Sequence, residues 1–161
     1  EPTGPLAVYY RTMPKFVDTP GEWPAEHLWG LAEHHRALHG MKKKRAWLLS
    51  LHASVRRCRG LGGVGWEDFL WVYTLVQSRT FGFGNGSTRE LRFVPVADLA
   101  NHHPTSGSFT DYSLDGAEFV MRSERGSAAG EEIYVTYGVM SNDKLLDTYG
   151  FSLSVNQEHN G

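Results

Sequence analysis

The sequence predicts an α+β domain. Apolar residues recur at helical spacing through the first half of the chain, and after the glycine-rich turn Gly82-Phe83-Gly84-Asn85-Gly86 the pattern changes to short runs cut by glycine and proline. A third observation sets the scale: at 161 residues, 40% hydrophobic and 12% aromatic, the chain is long enough for one unit with its own core. No internal repeat, low-complexity tract or linker interrupts it, so residues 1–161 are expected to form a single domain.

The elements follow in order. Glu26 to His39 place Leu28, Leu31, Ala32, His35 and Leu38 at helical spacing, and Gly40 reads as the stop. Lys42 to Arg59 set Trp47, Leu48, Leu51 and Val55 on one face, before a loop marked by Gly60, Gly62, Gly63 and Gly65. Glu67 to Ser78 carry Phe69, Val72, Tyr73 and Val76 in a stripe. Glu67 and Asp68 there meet the positive end of the helix dipole, and Arg79 is delivered at its other end. Strands are then expected over Leu91 to Val96, Ala117 to Met121 and Glu132 to Tyr137, punctuated by Pro104, Gly107, Gly116, Gly126 and Gly130.

Composition excludes several classes of function. A formal net charge of -2 and a pI near 6.5 give no general reason to expect nucleic-acid or membrane binding. Lys42, Lys43, Lys44, Arg45, Arg56, Arg57 and Arg59 lie in a segment without an acidic residue, which reads first as a solvated helix face. The lone cysteine, Cys58, excludes an internal disulfide framework and a cysteine-rich zinc module, so a reducing, intracellular compartment is expected, with cytoplasm, nucleus and plastid not distinguished. No apolar run approaches the roughly 18 residues of a membrane span. His35 and His39, or His102 and His103, lack the further ligands of a metal set, so no metal is expected. Gly82-x-Gly84 has Ser87 where a dinucleotide fingerprint needs its third glycine.

Two segments carry the functional signal. Pro95-Val96-Ala97-Asp98-Leu99-Ala100-Asn101-His102 and Gly130-Glu131-Glu132-Ile133-Tyr134-Val135-Thr136-Tyr137-Gly138, followed by Ser141-Asn142 and Tyr149-Gly150-Phe151, resemble the catalytic half of a SET-domain protein methyltransferase. The branch they resemble is that of the Rubisco large-subunit lysine methyltransferase. Tyr10 to Trp23, and Phe69-Leu70-Trp71 leading to Ser78-Arg79-Thr80-Phe81, are similar to the helical insert of that branch. The resemblance implies a SET fold of small twisted sheets with a helical insert and a C-terminal pseudoknot. Residues 1–90 would be mostly insert and 91–161 the catalytic portion. It also implies that the fold is incomplete at the N-terminus, where the family's Gly-x-Gly cofactor segment is not found.

What the resemblance implies about chemistry is methylation of a protein lysine by S-adenosylmethionine. Tyr137 matches the catalytic tyrosine. Arg79 and the run Asp98, Leu99, Ala100, Asn101 and His102 match cofactor-binding positions, and Tyr149, Gly150 and Phe151 match a segment closing over cofactor and lysine channel. Tyr112 falls where the branch supplies another pocket aromatic, so Tyr112, Tyr137, Tyr149 and Phe151 are the expected substrate-binding residues. Ala97 is small, as in the lysine-directed members.

The residue types suit that chemistry. Displacement at a sulfonium needs mainly an aligned, deprotonated nucleophile; an aromatic channel disfavours the ammonium form of lysine, and a phenol can orient the amine without titrating. Taken alone, Tyr137 would be an ordinary strand aromatic, Asn101 a turn residue and Arg79 a helix C-terminal cation. Two further classes of function stay open at this level: a noncatalytic SET-like interaction module, and methylation of histidine or another nitrogen on the same scaffold.

Overall fold

The computed structural model describes residues 3–4, 6–24, 27, 35–84, 89–103, 110–115, 118–123 and 126–156. They fall into two compact units, one of Glu1–Met13 with Arg79–Met140, the other of Pro14–Ser78 with Ser141–Gly161. Each unit draws on both the 1–90 and the 91–161 stretch.

Among the described residues, the second unit is built on three helices. α2 runs from His35 to Val55, straight through Gly40, so the stop expected there does not form. Gly40 is not among the glycines with positive φ, and it meets no neighbour where a Cβ would stand. An exposed glycine inside a helix costs about 1 kcal/mol. The packing of Leu48, Leu51 and Val55 against Phe69, Leu70 and Tyr73 outweighs it. The part of the expected first helix before His35 lies outside the described residues, except His27. α2 gives way at Val55, and the turn after it includes Gly60 at φ 83°.

α3, Trp66–Arg79, matches its expected span to within a residue at each end and buries Phe69, Leu70, Thr74 and Leu75. Its Trp71 indole donates to the Pro14 carbonyl at 2.8 Å. α4, Asn142–Tyr149, stands where the sequence pattern suggested only strand and turn. Ser141 caps it by accepting from the Lys144 N–H, and Gly150 ends it in the left-handed conformation at φ 81°. Asn142 then holds the chain that follows, donating to the Leu153 carbonyl and accepting from the Leu153 N–H.

The first unit begins with a short helix, α1, Ala7–Thr12. Met13 leaves the helical region at ψ 133°, as expected of a residue before proline. Among the described residues, three two-stranded ladders follow. β1 (Thr80–Phe83) pairs antiparallel with β2 (Glu90–Phe93), β3 (Asn101–His102) pairs parallel with β6 (Tyr134–Val135), and β4 (Thr110–Asp115) pairs antiparallel with β5 (Glu118–Ser123).

Several strand limits differ from those expected. Gly82 and Phe83, expected in the glycine-rich turn, belong instead to the strand Thr80–Phe83, whose Gly82 lies opposite Leu91. The expected Asn85-Gly86 turn itself lies outside the described residues. β2 stops at Phe93 because Pro95 brings no N–H to a ladder and Val96 turns the chain at φ 75°. The strand expected over Glu132 to Tyr137 pairs only at Tyr134 and Val135, leaving Tyr137 off the ladder.

Candidate active site

The site grows from the turn after β2. Val96 has a positive φ that a β-branched residue rarely adopts, and it leads into a single 3-10 turn, Ala97–Leu99, closed by the Leu99 N–H on the Val96 carbonyl and the Ala100 N–H on the Ala97 carbonyl. This turn carries Asp98 inward while Leu99, next to it, stays 48% exposed.

Asp98 is the most enclosed polar group of the unit, its side chain wholly shielded from solvent. Its Oδ2 accepts from the Tyr9 hydroxyl at 2.5 Å and faces Arg79 Nη1 at 3.4 Å; the same Nη1 donates to the Asp98 carbonyl at 3.2 Å. Arg79 therefore holds both the carboxylate and the backbone of the turn. Burial pushes the Tyr9 phenol well above its ordinary range, and the hydrogen bond to Asp98 adds to it. Asp98 Oδ1 is buried with no hydrogen-bond partner among the described residues. Leaving a buried acceptor unsatisfied costs about 1–3 kcal/mol.

Two residues on, the Ala100 carbonyl accepts from the Tyr137 hydroxyl at 2.9 Å. Tyr137 is tied down a second time, its backbone N–H donating to His102 Nδ1 at 3.1 Å and its ring stacking on the imidazole at 5.1 Å between centroids. Burial raises the Tyr137 phenol above its usual range; Arg79 opposes that rise and Asp98 reinforces it. The hydroxyl is thus a neutral donor at physiological pH, with its oxygen still able to accept. Burial also lowers the basicity of His102, a backbone bond with Val135 working the other way. A neutral His102 is what the Tyr137 N–H requires, since Nδ1 must keep its lone pair to accept.

Asn101 alternates with His102 on β3, and its exposed amide donates to Glu132 Oε1 at 2.6 Å. Glu132 Oε2 accepts from Tyr134 at 2.8 Å. These two bonds, Tyr134 first, hold the Glu132 carboxyl below the usual range.

Of the residues expected from the sequence, Arg79, Asp98, Ala100, His102 and Tyr137 come together in one unit, with Asn101 at its margin. Tyr112 sits on β4 opposite Met121. Tyr149, Gly150 and Phe151 belong to the other unit, where the two rings lie 6.2 Å apart. Sequence reasoning missed Tyr9 and Glu132. Tyr9 stands one residue before the stretch that carried the resemblance, with no periodic or motif signal of its own. Glu132 lay inside the quoted Gly130–Gly138 segment, where its type and its spacing to Tyr134 were the available signal.

Comparison with solved structures identifies the fold. The chain superposes on the SET domain of LSMT bound to lysine and AdoHcy with a TM-score of 0.73 and 21% identity, covering 96% of this chain and 37% of that one. It matches Rubisco LSMT bound to AdoMet at 0.72 and 23%, over 92% of this chain and 35% of that one. The fold is a SET fold. Among curated proteins, this SET domain is 33% identical over 94 residues to the chloroplastic [fructose-bisphosphate aldolase]-lysine N-methyltransferase of Arabidopsis thaliana, 53% of this chain and 19% of that protein. It is 32% identical over 91 residues to the ribosomal lysine N-methyltransferase set11 of Schizosaccharomyces pombe, 55% of this chain and 23% of that protein. The actin-histidine N-methyltransferase of Danio rerio is 25% identical over 162 residues, 93% of this chain and 27% of that protein. The chain thus spans about a quarter or less of the length of these relatives. No protein-family model matches it. Among the described residues, no three His, Cys, Asp or Glu are grouped to hold a metal, and no helix is long and apolar enough to cross a membrane.

Proposed function

We propose that this SET domain belongs to a protein methyltransferase that uses S-adenosylmethionine and acts on a lysine side chain of a protein. The observation that carries the reading is Tyr137: a half-buried, neutral hydroxyl fixed on the Ala100 carbonyl, beside His102, two residues past the parallel ladder. Its geometry is preorganised, so no reorientation is needed when an amine nucleophile arrives. The hydroxyl oxygen can accept from that amine while its proton stays on Ala100, and the low-polarity surroundings that raise the Tyr137 phenol also favour an uncharged amine.

Bound S-adenosylmethionine would supply an electrophilic methyl on its sulfonium. Arg79 suits the carboxylate of its methionine end, because only Nη1 of the guanidinium fork is engaged with Asp98. Asn101 and His102 would hold the adenosyl end. Tyr137 would line the lysine channel. Leu99 and Ala100 contribute backbone.

Incubating a full-length form of the protein with isotope-labelled S-adenosylmethionine and a cell extract tests the reading. Label is expected in protein. Cofactor binding without label in any extract protein would favour an interaction module instead. A second acceptor, histidine, is favoured by one observation, the match along 93% of the chain to an actin-histidine N-methyltransferase; peptides differing only at the acceptor separate the two.

A further inference from the structure

Glu22 carries a carboxyl that the chemistry of the candidate site does not use. It closes the turn after Thr19, its N–H on the Thr19 carbonyl at 2.9 Å, and its Oε1 is shielded from solvent with no hydrogen-bond partner among the described residues. The group that meets this carboxyl from α3 is the Thr74 hydroxyl. Thr74 has one proton to give, and it gives it to the Leu70 carbonyl at 2.9 Å, an oxygen that can only accept. The side of Thr74 Oγ1 that faces Glu22 is therefore a lone pair. An ionised carboxylate would meet it oxygen to oxygen, whereas a carboxylic acid meets it with an O–H.

The surrounding charges favour the acid as well. A small cavity brings Thr19 and Gly21 of the turn together with Lys44 of α2, Tyr73 and Thr74 of α3, and Asp147 of α4. Lys44 is paired with Asp147 at 2.7 Å, and Arg45 of α2 donates to the Trp23 carbonyl at 3.3 Å. The Tyr73 phenol, raised by burial and by Asp147, is neutral at physiological pH. The charge that acts on Glu22 is that of Asp18, whose carboxylate accepts from the Trp23 indole at 2.6 Å. Burial raises the Glu22 carboxyl above its ordinary range; the Thr74 hydroxyl opposes the rise and Asp18 adds to it. Ionised, Glu22 would set a second negative charge beside Asp18, with one oxygen out of reach of water.

We infer that the folded chain carries Glu22 as the neutral acid, its O–H donating to Thr74 Oγ1, and that this bond latches the turn at 18–23 onto α3. A rise in pH takes the proton to solvent and frees the turn. The latch reaches α4 too, because the Asp18 carbonyl lies against Gly150, where that helix ends.

Carbon-13 NMR and hydrogen exchange on a full-length form of the protein, wild type, Glu22→Gln and Thr74→Val, test this. The Glu22 carboxyl carbon, assigned through its own backbone, is expected to titrate above the ordinary 4.5; a midpoint at or below 4.5 overturns the inference. Thr74→Val decides which group donates. If Glu22 gives the proton, loss of the Thr74 oxygen lowers the midpoint; if Thr74 gives it to a carboxylate, the same loss raises the midpoint. A rise, or no change, overturns the inference. Exchange reads the latch itself. The neutral acid favours the folded turn, so its contribution is complete below 4.5 and is lost as pH rises through the raised midpoint. Protection of the amide at position 22, corrected for the intrinsic pH dependence of exchange, should fall in the wild type by about tenfold for each pH unit by which the midpoint is raised. It should stay level in Glu22→Gln, whose side-chain N–H groups serve Thr74 at every pH. Equal profiles in the two proteins overturn the latch. Should Glu22→Gln not fold, the direction of the Thr74→Val shift alone decides.

Discussion

At the scale of single residues, burial raises the Tyr9 and Tyr137 phenols and lowers the basicity of His102. Tyr137→Phe in a full-length form of the protein keeps the ring on His102 and removes only the hydroxyl. Methyl transfer should fall about 10²-fold, the usual loss on removing one preorganised polar group, with cofactor affinity little changed; steady-state rates beside calorimetric affinities check it. His102 sets a pH dependence. Its folded pKa lies below the ordinary 6.5, so the unfolded chain binds the extra proton first as pH falls. The stability that depends on neutral His102 is complete above about 6.5 and is lost as pH falls through the lowered folded value. Protonation at Nδ1 would also set an N–H against the Tyr137 N–H. Thermal melts from pH 8 to pH 5 should show this loss, and His102→Gln should flatten that part of the profile; superimposable slopes would remove His102 from the account. The sequence made Tyr137, Asp98 and His102 legible because they sit within contiguous motifs. Tyr9 was not legible, because its partner lies 89 positions away and nothing local records the pairing.

At the scale of elements, local signals succeeded where the deciding interactions are local. The limits of α3 follow from its apolar stripe and its charged ends. Gly40 misled because glycine stops a helix only when the next turn can leave it, and here Leu48, Leu51 and Val55 beyond it keep the helix packed. Thr80–Phe83 misled for the opposite reason: its strand exists through pairing with Glu90–Phe93, which no local pattern reveals. α4 offers two checks by chemical denaturation. Ser141→Ala removes the cap on the Lys144 N–H and should cost about 1 kcal/mol. Gly150→Ala should be far more damaging. Beyond the positive φ, a Cβ there would run into the backbone carbonyl of Asp18, which cannot move as a flexible side chain could. If the two variants proved equally mild, the close approach of Asp18 to Gly150 would be misdescribed.

At the scale of the whole molecule, the α+β class and the SET fold were both readable from the sequence, the first from the change of period and the second from the ordered motifs. The grouping of Glu1–Met13 with Arg79–Met140 was not, since it is a matter of which distant segments share one compact unit. That grouping explains why a helix at the start of the chain contributes to a site whose motifs lie beyond residue 78. It also gathers Arg79, Asp98, Ala100, His102 and Tyr137 in one unit, linked by contacts within it. The most direct measurement of the central claim is mass spectrometry of extract proteins after incubation with a full-length form of the protein and isotope-labelled S-adenosylmethionine, mapping each labelled methyl to its side chain. The account predicts methyl groups on lysine that disappear with Tyr137→Phe, and it is contradicted by a protein that binds the cofactor yet leaves every lysine unlabelled.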